Sequence, residues 1–81
     1  MQLSKEEEKE LIKYIGERIR ELRLKSKLSQ SELSTDAYLS KNQLGRLERG
    51  EHIPNIVTLY KIAKALDVNI SDIVDLKKIK F

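Results

Sequence analysis

Ser29 with Glu32, and then Ser40 with Gln43, each place a hydroxyl residue three positions before an acid or an amide. At that spacing the hydroxyl accepts from one orphan backbone N–H at a helix start and the longer side chain accepts from another, so each pair marks a helix N terminus. Two starts so close together leave room only for two short helices and a tight corner. The first should run about Gln30 to Asp36 with Leu33 and Ala37 on one face. The second should run about Lys41 to Arg49 with Leu44 and Leu47 on one face, and Leu39 plugs the corner between them. Gly50 follows where a residue of positive φ is wanted, so it reads as a C-terminal cap. Two helices with a short turn and a shared apolar side form a helix-turn-helix, which can seat its second helix in the major groove of DNA.

The flanking segments are helical as well. Ser4 with Glu7 forms another capping box, acids crowd the first turns, and Leu11, Ile15, Ile19 and Leu22 recur along one face, which predicts a helix from about Lys5 to Ser26. Gly16 weakens that helix by about 1 kcal/mol relative to alanine and allows a bend or a close helix contact. After Gly50, Pro54 excludes helix at the preceding residue and Asn55 can cap the next helix, expected over about Ile56–Leu66 with Leu59, Ile62, Ala63 and Leu66 inward. Asn69 with Asp72 starts a short fifth helix through Ile73 and Val74 toward Leu76. The expected fold is all-α: five helices in one domain spanning residues 1–81, with the helix-turn-helix over about residues 29–49.

Composition narrows the class further. A chain of 81 residues supports one modest core. Without cysteine there is neither a disulfide nor a thiolate metal site, so stability must come from helix packing. The apolar runs are short and the N terminus, MQLSKEEEKE, is acidic where a signal peptide would be basic and then greasy. These features lead to the expectation of a soluble cytoplasmic protein without membrane contact. The net charge is +3, and because Glu6, Glu7, Glu8 and Glu10 outnumber Lys5 and Lys9, the positive excess lies on the remainder. A basic surface suits phosphate, although lysine-rich solvated surfaces are equally common.

The stretch from Ile15 to Val74 resembles the phage-repressor-type helix-turn-helix family of lambdoid repressors, Cro proteins and restriction-modification controllers. The resemblance rests on IGERIRELR at its start, LSQSEL opening the second helix, LGRLERG closing the third, and LYKIAKALDV in the fourth. It implies a compact lambda-repressor-like DNA-binding domain, here with an N-terminally extended first helix. Two residues depart from the pattern: Tyr38 stands where the family usually has the turn glycine, and Ser34 where it usually has alanine. A non-glycine in a left-handed corner costs about 1 kcal/mol or adopts a slightly different turn.

By the same resemblance, Lys41, Asn42 and Arg46 occupy base-contacting positions, with Gln43 adjacent. Lysine and arginine can donate to guanine, and asparagine can pair bidentately with adenine. The bland reading of the same residues is the wet face of an amphipathic helix. Phosphate contacts are expected from Gln30 at the start of the second helix and from Ser40, Arg49, His52 and Asn55 on the same surface. His52 alone also fits an ordinary exposed loop histidine, and without partner ligands no metal role follows. Arg23 and Glu48 match family positions that form a partly buried ion pair between the first and third helices.

An enzyme is disfavoured by the lack of a cysteine nucleophile, the single histidine and the three isolated glycines. No cofactor is expected. Ile70, Ile73, Val74, Leu76, Ile79 and Phe81 form an apolar surplus near the C terminus that a modest core cannot absorb, and this assigns them to a homodimer interface. The sequence thus points to a dimeric regulator of transcription that binds double-stranded DNA and associates with the nucleoid. The competing reading is an antitoxin or helical adaptor that binds a protein partner through its C-terminal helix.

Overall fold

The computed structural model describes residues 2–75, 77 and 78. Five helices follow in chain order: α1 (Lys5–Lys25), α2 (Gln30–Asp36), α3 (Lys41–Glu48), α4 (Ile56–Leu66) and α5 (Ile70–Ile73). The capping boxes expected at Ser4, Ser29 and Ser40 are all formed, each with its two reciprocal hydrogen bonds at 2.9–3.1 Å. At the second, the Ser29 N–H holds the Glu32 carboxyl below the usual carboxylate range. The Glu32 half of that cap is therefore present at neutral pH and weakens as acid protonates the carboxylate, while the Ser29 hydroxyl keeps its own bond. Asn55 Oδ1 caps α4 by accepting from the Thr58 N–H at 2.8 Å.

Three helix ends differ slightly from expectation. Ser26 and Arg49 are C-caps rather than members of α1 and α3, and α5 stops at Ile73 because Val74 is extended. At α1 and α3 the reason is one motif, used at four helix ends in the fold. Lys27, Tyr38, Gly50 and Asp67 all take left-handed backbone with φ of 56–72°. The N–H of the next residue then reaches back to a carbonyl of the last turn, from Leu28 to Arg23, Leu39 to Ser34, Glu51 to Arg46 and Val68 to Ala63. This is the Schellman closure, which satisfies carbonyls that the helix itself leaves unpaired. Tyr38 thus keeps the left-handed corner instead of choosing another turn. Its side chain is 86% exposed and packs against little, so Tyr38→Gly should raise stability by about 0.5–1 kcal/mol. A thermal melt that moves downward would show that the ring stabilises the corner after all.

The core is a single cluster drawn from every helix: Ile15, Ile19 and Leu22 of α1, Leu33 of α2, Leu44 and Leu47 of α3, Leu59, Ile62, Ala63 and Leu66 of α4, and Ile73 of α5, with Ala37 from the turn. Leu39 plugs the corner from a half-buried position, as its place in the sequence suggests, whereas Leu11 lies only partly under cover. Ser34 is buried where the family pattern would put alanine, and its hydroxyl is satisfied by donating to the Ser31 carbonyl at 3.0 Å.

Gly16 is where α1 and α3 touch. A Cβ there would fall inside contact distance of the Leu47 carbonyl oxygen and 2.9 Å from that of Glu48. The close-contact reading of this glycine is therefore the one the fold uses. The N-terminal extension of α1 is also anchored, since Lys13 backbone lies 3.3 Å from where a Cβ on Gly50 would sit.

Candidate nucleic-acid interface

Helix α3 is divided lengthwise. Leu44, Gly45, Leu47 and Glu48 are buried, while Lys41, Asn42, Gln43 and Arg46 are all exposed. With the apolar side locked into the core, the polar side is presented outward as a rigid face. Gln43 is partly committed, because its Oε1 accepts from the Ser40 N–H at 2.9 Å while Ser40 Oγ accepts from the Gln43 N–H at 3.0 Å. Its amide nitrogen remains available to donate.

Beneath this face, Arg23 and Glu48 meet. Arg23 Nε donates to Glu48 Oε2 at 2.7 Å and Nη2 donates to Oε1 at 3.0 Å. Their side chains are only 9% and 2% exposed. Arg23 Nη1 also donates to the Leu28 carbonyl at 2.9 Å, and Gln30 Nε2 donates to Glu48 Oε1 at 3.1 Å. The hydrogen bond to Glu48 raises the Arg23 pKa above its ordinary value, so the guanidinium stays charged. The network ties α1, the start of α2 and the end of α3 together, which sets the pitch of the outward face. Among the described residues no buried side-chain polar atom lacks a partner.

The expected phosphate contacts do not share one place, and Ser40 is exposed as the N-cap of α3. Gln30 and Arg49 line a shallow groove of about 390 Å³ together with Lys41, Asn42 and Gly45. His52 lies elsewhere, beside Ile12, Gly50, Glu51 and Ile53. Asn55 is exposed at the start of α4, where its side-chain oxygen is used in the cap. Gln30 is only half exposed and holds Glu48.

Two features escaped the sequence reading. Glu51 pairs with Arg49, accepting Nε at 2.7 Å and Nη2 at 3.4 Å. That hydrogen bond raises the Arg49 pKa and lowers that of Glu51. Opposite charges two residues apart across a helix end are too common to have signalled it. Ile53 in the loop before α4, and Ile56, Val57 and Tyr60 in the first half of α4, are exposed, where only the inward residues had a readable period.

One expectation is corrected. Ile73 does not belong to a dimer surface: it is fully buried within the single chain, where the one turn of α5 directs it into the core between α1 and α4. Arg18 Nε helps to pin that turn by donating to the Asp72 carbonyl at 2.7 Å. Ile70 and Val74 are half-buried against the same core, and Leu76, Ile79 and Phe81 lie outside the described residues.

A buried-base, polar-faced third helix held at a fixed angle by a tight turn from α2 defines a helix-turn-helix DNA-binding protein, and residues 19–73 match that family. The chain belongs to the helix-turn-helix family of transcriptional regulators. It is 38% identical over 60 residues to the immunity repressor protein of Bacillus phage phi105, a match that covers 74% of this chain and 42% of that protein. The chain therefore spans about two fifths of the length of that repressor. It is 37% identical over 57 residues to the HTH-type transcriptional regulator y4dJ of Sinorhizobium fredii, covering 70% of this chain and 74% of that one. The crystal structure of the restriction-modification controller protein C.AhdI from Aeromonas hydrophila superposes with a TM-score of 0.77 at 33% identity, covering 78% of this chain and 96% of that one. No helix among the described residues is long and apolar enough to cross a membrane.

Proposed function

We propose that this chain is a sequence-specific regulator of transcription that binds double-stranded DNA as a homodimer on an inverted-repeat operator. The observation that carries the reading is the lengthwise division of α3, whose exposed side holds only Lys41, Asn42, Gln43 and Arg46. In the major groove Lys41 and Arg46 would donate to guanine O6 and N7, and Asn42 would pair with adenine N6 and N7. Gln43 would donate through its free amide nitrogen. Gln30, Ser40, Arg49, His52 and Asn55 would meet the phosphates that flank the groove and set the register. Such binding places the protein on the nucleoid, with no cofactor and no catalytic step.

The dimer would form through the end of the fold. Ile70 and Val74 keep part of their surface open in one chain, and Leu76, Ile79 and Phe81 continue the same apolar segment in sequence. A two-fold pair would set its recognition helices about 34 Å apart, matching successive major grooves on one side of the duplex.

Selection of duplexes from a random pool tests both parts. The enriched site should be an inverted repeat with half-site centres about 10 base pairs apart, and a five-base-pair insertion between halves should abolish cooperative binding. Arg46→Ala or Asn42→Ala should cost about 1–3 kcal/mol on that site and leave random DNA nearly unaffected. Equal losses on both duplexes would show that these side chains do not read bases. A chain that stays monomeric in sedimentation and binds one half-site as tightly as two would remove the dimer.

A further inference from the structure

The Glu51 carboxylate caps no helix, yet it occupies the guanidinium of Arg49, a residue expected to meet DNA phosphate. The Schellman closure of α3 fixes its position: the Glu51 N–H donates to the Arg46 carbonyl at 2.9 Å, so the residue is carried on the recognition helix itself. From there its carboxylate engages Arg49 at 2.7 and 3.4 Å. The guanidinium runs back over Gly45, with Nη1 3.0 Å from where a Cβ would sit, and lies in the groove shared with Gln30, Lys41 and Asn42. A side chain at position 45 would displace it. Both charges are about half exposed, at 55% and 53%, so water and ions reach the pair and it can exchange partners.

We propose that Glu51 is an intramolecular competitor for the DNA backbone: it holds Arg49 in the free protein, and Arg49 reaches a phosphate only by exchanging one anion for the other. This rests on the DNA-binding reading above. Exposed ion pairs are weak, so the exchange is readily reversible. Its consequence is a uniform lowering of affinity on any duplex, since the contact is to backbone and carries no base information. Glu51 would thereby raise the protein concentration at which the operator fills.

Glu51→Gln keeps the size of the side chain, removes the charge, and lies at an exposed position where melting should show an unchanged fold. Titrated against a random-sequence duplex and against the selected site at low salt, it should bind both about three- to five-fold more tightly than wild type. The gain should shrink as salt is raised, because it is Coulombic between exposed groups. Glu51→Asp should stay near wild type. In an Arg49→Gln background the Glu51→Gln gain should largely vanish, which identifies Arg49 as the route. No tightening, or the same tightening with and without Arg49, would overturn the proposal. Wild-type protein that binds no duplex in a salt-dependent way would instead overturn the DNA-binding reading itself.

Discussion

Glu48→Ala should destabilise the fold by about 3–5 kcal/mol, the range for breaking a buried ion pair by removing one partner. The burial is what places it at that end of the scale. Glu48 accepts three hydrogen bonds, two from Arg23 and one from Gln30, from a side chain that is 2% exposed. Without it, Arg23 keeps only the Leu28 carbonyl. Arginine cannot shed its proton to escape, so the stranded charge must draw water into the core or swing outward. Either response moves the end of α3. Replacing Arg23 and Glu48 together with apolar residues of similar size should recover much of the loss, because the pair's attraction is largely offset by its desolvation. Thermal melting of the two single variants and the double variant checks this. Small, additive effects would mean that the two side chains act independently. DNA affinity should fall with stability in Glu48→Ala but return only partly in the apolar double variant, since the pair also aims the recognition helix.

Gly16→Ala should destabilise as well, although it replaces a poor helix former with the best one. The propensity gain is at most about 1 kcal/mol. Against it stands a Cβ that would press on the carbonyl oxygens of Leu47 and Glu48. Those are backbone atoms at the end of α3, so no rotamer change relieves the overlap. Overpacking a core typically costs about 1–3 kcal/mol when side chains can give way. Here the whole helix must move, so the net loss should be about 2–3 kcal/mol, an appreciable part of the stability of so small a domain. Melting curves would show it directly. A variant that melts higher than wild type would mean that α1 and α3 are free to separate at this crossing.

Much of this arrangement can be read from the chain alone, because the signals are local. The capping boxes at Ser4, Ser29 and Ser40 and the cap at Asn55 need only neighbours along the sequence, and helices α2 and α4 begin and end at the expected residues. The inward positions Leu33, Leu44, Leu47, Leu59, Ile62 and Leu66 follow from the helical period, since burial of one face is what makes a short helix stable. The outward set on α3 follows as the complement. The resemblance to phage-type regulators, which joined Arg23 to Glu48, rested on motifs of the same local kind.

What the sequence could not supply are the quantities set by the meeting of distant segments. That Ile73 points inward and not toward a second chain depends on the direction in which a one-turn helix leaves Val68, which no periodicity encodes. Whether Gly16 marks a bend or a crossing depends on how closely α3 approaches. Gln30 turned out to brace Glu48 because the start of α2 meets the end of α3 there. The choice of elements thus lay in hydrogen bonds and periods spanning a few residues. Their relative placement, and with it the bracing of Glu48 by Gln30, was decided only when the core closed.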